Sequence, residues 1–329
     1  MNEKTAQFSL RGLFQPRDLT EGTPWKTILA FALPIIISYL LQQVYTISDA
    51  AIVGQTLTAG EVAGVNDTTS IIFIFLQFAF GVSAGFCVVT AAEVGAHHEA
   101  GVRRSLAAQI LLSAALTVLL TGLALLLLKP MLAWINVTPE SPEVYRAAHT
   151  YCAIIFAGIG AQLFYNFICS FLRSMGDSVT PLLFLLFSTI LNIGLDLLFI
   201  VSFHWGVAGA AIATVAAQVL SAGLVLGVLT RSRGCYRIQW RGMRMHRGIL
   251  RNIFVVGVPS ALQLAITSFS NVFVQSYVNR FASSCMAGWA AYQKIDAFVI
   301  LPMTTLSVTA TTFVGQNVGA GNWDRAKQG

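Results

Sequence analysis

The stretch 190–200, ILNIGLDLLFI, sets a carboxylate, Asp196, and a carboxamide, Asn192, one helical turn apart in an otherwise apolar run. A charge at the centre of a bilayer costs about 2.5–3.5 kcal/mol even on lenient scales, so a carboxylate kept there usually faces a partner or a cavity. Other polar residues stand in similar surroundings. Gln42, Tyr45 and Asp49 share one face of a helix at i, i+3, i+7. Thr214 and Gln218 share a face at i, i+4, as Asn192 and Asp196 do. Gln162 and Asn166 form another polar pair, and Lys294 and Asp296 lie together in YQKIDAFVILP. Carboxylate, amide and hydroxyl oxygens suit a hard cation, which makes Asp49, Asn192 and Asp196 candidate Na⁺ ligands. Two carboxylates in a desolvated pocket also hold one proton readily. The chemistry on offer is reversible binding of H⁺ or Na⁺, with no resident cofactor or metal.

These residues need elements to position them. The chain has 329 residues, 56% hydrophobic and only 10% charged. A soluble domain carries about 25% charged residues, so the composition argues against a soluble fold. Apolar blocks of about 18 or more residues can cross the roughly 30 Å hydrocarbon core as helices. Eight such blocks stand at 27–50, 69–92, 105–128, 147–171, 181–202, 207–230, 252–277 and 287–313. The fold class is therefore all-α, a polytopic membrane protein. Residues 1–25 have no apolar core and no small-residue cleavage site, which excludes a signal peptide. Five scattered cysteines suggest neither a disulfide framework nor a zinc site.

Charge gives an orientation. With the N-terminus in the cytosol, the inner segments hold Lys4, Arg11, Arg17 and Lys26, then Arg103 and Arg104, then Arg173. They also hold seven arginines over 231–251, and Arg325 with Lys327. Only Lys129, Arg146 and Arg280 fall outside, so the positive-inside rule is met. The net charge of +6 is thus a topology signal and does not indicate nucleic-acid binding. The block 231–251 is a basic connector able to meet lipid headgroups.

The chain also repeats itself. ALPIIISYLLQQ and GVPSALQLAITS place Pro34 and Pro259 alike near the starts of spans one and seven. EVGAHHEAGVRRS and NVGAGNWDRAKQG close spans two and eight alike. Six spans per repeat imply two lobes of the same orientation, an arrangement found among secondary transporters. The division is 1–25, a cytosolic segment; 26–230, a six-helix N-lobe; 231–251, the linker; and 252–329, the first two helices of a C-lobe. Four more helices would complete that lobe, so the chain reads as C-terminally truncated. At 1.5 Å per residue, Asp49 lies about 33 Å along its helix from the cytosol, Asp196 about 22 Å and Asn192 about 16 Å. Thr214 lies about two turns down from the outside. All four can converge on one cavity in the outer half of the N-lobe.

TISDAAIVGQ (46–55), FLRSMGDSVTPLL (171–183), GVAGAAIATVAAQ (206–218) and TFVGQNVGAGNWDRAK (312–327), in this order, resemble the MATE (multidrug and toxic compound extrusion) family, nearest its DinF/NorM-like members. AEVGAHHEAG (92–101) departs from the family's more common Gln-bearing version, and the last four helices are missing. The resemblance implies a two-lobe helical bundle in the cell membrane and a first-lobe cation site. That site would fall on Asp49, Asn166, Asn192, Asp196 and Thr214, with Gln162 as the alternative to Asn166. Gln42, Tyr45, Gln162, Gln218, Lys294 and Asp296 are candidates for the substrate cavity. The implied activity is H⁺- or Na⁺-coupled multidrug antiport of amphipathic or cationic compounds by a monomer in the lipid bilayer.

A lipid-linked oligosaccharide flippase or polysaccharide exporter of the same superfamily is the alternative. It would be expected to carry several cavity Arg or Lys for a pyrophosphate, and the spans offer only Lys294. An intramembrane enzyme would need paired metal ligands or a nucleophile–base pair at matched depth, which the spans lack. No Gly-x-x-x-x-Gly-Lys loop is present, so nucleotide hydrolysis is not the energy source. The HHE run at 97–99 reads as solvated loop, the Phe run at 71–80 as packing or lipid-facing surface, and 206–213 as close helix packing through small residues. Lys294 and Asp296 are as readily a structural pair as part of a pathway.

Overall fold

The computed structural model describes residues 17–231, 246–278 and 283–329. Residues 1–16, most of the basic connector, Arg280 and the side chain of Lys294 lie outside the described residues. The helices are α1 (Pro24–Thr56), α2 (Ala59–Gly95), α3 (Glu99–Leu126), α4 (Leu128–Trp134), α5 (Pro142–Ser174), α6 (Val179–Asp196), α7 (Gly206–Arg231), α8 (Arg247–Val278), α9 (Ser283–Gly319) and α10 (Trp323–Gln328). Eight of them are long and apolar enough to cross a membrane. They coincide in order with the eight apolar blocks. Hydrocarbon offers no hydrogen-bond partner, so a spanning segment must satisfy its backbone within itself, and the helix does this.

Most helices begin before their apolar blocks because their starts are set by polar chemistry. At the start of α2, Thr58 Oγ1 accepts from the Glu61 backbone N–H while the Glu61 side chain accepts from that of Thr58. This reciprocal cap begins the helix well before the apolar run. Pro24 and Pro142 open α1 and α5, where a missing N–H costs nothing. Two features were not legible from hydropathy. The short α4 tucks Leu128 and Leu132 into the core. Directly after Asp196, α6 continues as a π-helical stretch, Leu197–Ser202.

The core lies between α2, α3 and α5. Phe86, Phe156 and Phe167 are fully or almost fully buried there, and the Phe86 and Phe167 rings meet edge to face at 5.0 Å. Helix α5 packs on α2, α3 and α7, while α6 lies against α1 and α7. The last two spans join through α2: both α8 and α9 pack on it, and α9 also meets α1. The α2–α8 contact depends on absent side chains. A Cβ on Gly85 would strike the backbone of Gly257, and one on Gly81 that of Ala261. Small residues let backbones approach and gather van der Waals contact where lipid gives helices little hydrophobic reason to associate.

Gly85→Leu is therefore expected to force α2 from α8 and to lower stability by about 1–3 kcal/mol. Gly122→Leu, at a site with open space around it, should leave stability unchanged. Thermal unfolding of the detergent-solubilised variants measures both.

Candidate functional site

Four helices bring polar groups to one level of the bundle. Counted from the helix ends at the face opposite the N-terminus (the distal face), Asp49 of α1, Tyr151 of α5, Asp196 of α6 and Thr214 of α7 each lie about 9–13 Å in. Their side chains lie near one another. The Asp49 and Asp196 carboxylates face one another. The Tyr45 hydroxyl faces Thr214, beside both carboxylates. Tyr151 lies within electrostatic reach of Asp49, Tyr45 and Asp196. Asn192 lies one turn from Asp196, and both residues are 0% exposed.

The notable property of this group is what it lacks. Asp49 Oδ1, both oxygens of Asp196, both side-chain polar atoms of Asn192 and Thr214 Oγ1 are buried without a hydrogen-bond partner in the protein. Buried polar atoms are nearly always paired, and each unpaired one costs about 1–3 kcal/mol, more when charged. Two ionised carboxylates cannot pair with one another, because neither carries a donor. A shared proton supplies one. A hard cation meets the same need, since five of the orphaned atoms are oxygens. The π-helical stretch after Asp196 belongs to the same picture, for such wide turns recur at functional sites.

Other sequence candidates sit elsewhere. Asn166 lies about 22 Å further along α5 than Tyr151, and Gln162 about 16 Å, both towards the N-terminal face. Neither shares the level of Tyr151. The Asn166 Nδ2 is nonetheless buried and unpaired. Gln42 and Gln218 are half-buried, one turn from Tyr45 and Thr214 respectively. Asp296 belongs to α9, where it accepts a hydrogen bond from Tyr292 Oη at 3.4 Å within its own helix. The Lys294 side chain lies outside the described residues. His97 and His98 lie in the turn before α3, with His98 Nδ1 2.8 Å from Glu93 Oε2. Among the described residues no group of three or more His, Cys, Asp or Glu converges as a metal site.

Tyr151 was not singled out from sequence. Its signal is a lone hydroxyl within YCAIIFAGIG, at a depth matching that of Asp49. Beyond it towards the distal face lies a cavity of about 470 Å³, lined by Glu61, Glu143, Arg146, Thr150, Trp205 and Val207 among others. Thr150 precedes Tyr151 in α5, and none of Asp49, Tyr151, Asp196 and Thr214 lines this cavity.

A family model described as MatE matches residues 34–198 and 259–329. The matched stretches begin at Pro34 and Pro259, the prolines that mark the two halves of the repeat. The probable multidrug resistance protein YpnP of Bacillus subtilis is 29% identical over 314 residues, covering 94% of this chain and 68% of the relative. YoeA of the same organism, also a probable multidrug resistance protein, is 28% identical over 313 residues, covering 92% of this chain and 66% of its own length. The chain thus spans about two thirds of the length of these curated relatives. A multidrug resistance MATE family transporter of the MOP superfamily, solved in an outward-facing conformation, superposes with a TM-score of 0.86 at 25% identity. That match covers 94% of this chain and 68% of the other.

Buried polar groups left unpaired cost stability. Asn192→Leu, close in volume and free of polar atoms, is expected to raise the stability of the ligand-free protein by about 1–3 kcal/mol. A fall in thermal stability would show that the amide is satisfied by the protein itself.

Proposed function

The chain belongs to the MATE family of multi-pass membrane transporters, and we propose that it is a cation-coupled antiporter exporting amphipathic or cationic organic compounds. The observation that carries this reading is the pair of carboxylates, Asp49 and Asp196, facing each other from two helices with their buried oxygens unpaired. With both ionised, the pair repels and holds α1 and α6 under strain. A proton or Na⁺ cancels that charge and draws the helices together, with Asn192, Thr214, Tyr45 and Tyr151 as the surrounding polar groups. A ligand shifts a conformational equilibrium only by its differential affinity for the two states. A cation that prefers one state, and an organic substrate that prefers the other, are thereby linked as antiport requires.

The proposal places the protein in the cell membrane with the N-terminal face in the cytosol. Supporting this, Arg17, Arg103, Arg104, Arg173, Arg325 and Lys327 gather at that face, while Lys129 and Arg146 stand at the distal one. Names of relatives that include multidrug resistance support the substrate class.

Dye efflux from proteoliposomes under an imposed pH or Na⁺ gradient tests coupling. Asp49→Asn and Asp196→Asn are each expected to bring driven efflux down to the level of empty liposomes at equal protein content. Unchanged efflux in both would overturn the reading.

An equilibrium measurement identifies the cation. At a concentration 100 times its Kd, a bound ion should stabilise the wild type by about 2.7 kcal/mol and Asp196→Asn by far less. Protection by Na⁺ at fixed pH marks Na⁺ as the coupling ion. Protection only on acidification marks the proton.

A further inference from the structure

Residues 17–23 cross the N-terminal face between α1–α7 and the helices after the connector. Arg17 donates its N–H to Gly176 O at 3.1 Å, in the α5–α6 turn. Leu19 is 0% exposed and packs with Phe31 and Ile35 of α1 and Phe313 of α9. Its N–H donates to Gln316 Oε1 at 3.1 Å, and its carbonyl accepts from Asn317 Nδ2 at 3.2 Å. Gln316 continues the chain of bonds, its Nε2 donating to Ser174 O at 2.8 Å. Arg325 of α10 donates to the carbonyls of Gly22, Glu21 and Leu19.

The rest of the seam between the two groups of helices is built differently. Thr305, Thr309 and Thr312 are buried on α9, but each hydroxyl donates to the carbonyl four residues before it, at 2.8–3.1 Å. Ser38 and Ser83, on α1 and α2, do the same. Where α2 and α9 come closest, Gly95 lies against the backbone of Gln316 and Gly319 against that of Ala92. Surfaces of this kind part with few hydrogen bonds to break, the weak Cys87–Thr312 contact among them, because most of their polar groups are satisfied within their own helices. The directional bonds at the N-terminal end of the seam are concentrated on Leu19, Gln316, Asn317 and Arg325.

We propose that residues 17–23 are a latch: they hold the N-terminal face closed, and that face opens only when the strap releases Gln316, Asn317 and Arg325. The proposal rests on the transport reading for why the face opens at all. It deepens that reading by assigning the closed state to Leu19 and Arg325. A buried leucine and a guanidinium on three carbonyls suit this role. Both contacts form together and are lost together when the strap lifts.

Cys87 reports on the seam, since it is buried on α2 with its Sγ 3.6 Å from Thr312 Oγ1 on α9. Cys152 is buried in the core, away from the seam, and reports on general loosening. Single-cysteine versions of the chain, in proteoliposomes, are labelled with a membrane-permeant maleimide. Leu19→Ala and Arg325→Gln are each expected to speed labelling of Cys87 about ten-fold, with Cys152 unchanged and Leu19→Ile like the parent. Equal Cys87 rates in the parent and both variants overturn the latch, as does an equal rise at Cys152. The readout needs no driven flux, so the two readings fail separately. Faster Cys87 labelling without gradient-driven efflux in the wild type sinks antiport and keeps the latch. Flat labelling with intact coupled efflux does the reverse.

Discussion

Hydrocarbon supplies neither donors nor acceptors, and the structure depends on that constraint throughout. Inside a membrane a polar group must be paired by the protein, or be kept for a ligand that pairs it. Most of this chain takes the first course. Backbone groups close on themselves in helices, and serine and threonine hydroxyls bond the preceding turn, as Ser38, Ser83, Thr309 and Ser221 do. Thr90 Oγ1 lies 2.5 Å from Ser105 Oγ and accepts from Gln109 Nε2, although Gln109 Oε1 has no partner. Polar atoms of Asp49, Asn192, Asp196 and Thr214, on three helices, have no partner in the protein, and under the proposed function they take the second course.

The same constraint shapes how helices meet. With many side-chain hydrogen bonds spent inside each helix, the contact of α8 and α9 with α2 falls largely to surface fit, and fit here means small residues. Gly81 and Gly85 admit α8 to within backbone contact of α2. Such a contact is specific in register yet carries few bonds to break. The core around Phe86, Phe156 and Phe167 is the opposite: large interlocked rings that hold α2 and α5 as one body. Rigid groups joined along a smooth seam are what a protein with two alternative packings requires.

How far the sequence spoke for itself follows from which of these forces is local. Spanning helices are local, and the eight apolar blocks appear as eight helices in order. The repeat was legible because prolines and Val-Gly-Ala exits are local marks. Depth was legible only in part: the apolar blocks set Asp49 about 33 Å and Asp196 about 22 Å from the cytosol, and the common level comes from the helix ends, α1 running to Thr56, six residues past its block. Rotation about the helix axis between neighbours was not legible, and this hid Tyr151, an aromatic residue in an apolar run until another helix shows which way it faces. It also left Asn166 and Gln162 open, and both lie nearer the N-terminal face than Tyr151 does. The α4 helix was too short for hydropathy to register, and the π-helical turn after Asp196 has no compositional mark. Leu19 read as part of a polar leader, because its partners lie about three hundred residues away in the chain.

Two places where the rules of pairing are strained or enforced lie at opposite ends of one helix. Near one end of α1, Phe31 and Ile35 receive Leu19 of the strap. Near the other, Asp49 faces Asp196. Some 18 residues separate Phe31 from Asp49, about 27 Å of helix, with Pro34 removing one rung of the backbone ladder just beyond the strap contact. A change of charge at Asp49 alters the force between α1 and α6. A change at the strap alters the hold between α1 and α9. Neither site touches the other, yet both set where α1 sits. For a rigid element held at two points, the state that satisfies the distal carboxylates and the state that seats Leu19 are separate demands on one position. Under the proposed antiport and latch, the two ends of the membrane then have a physical reason to exchange states and not to open independently.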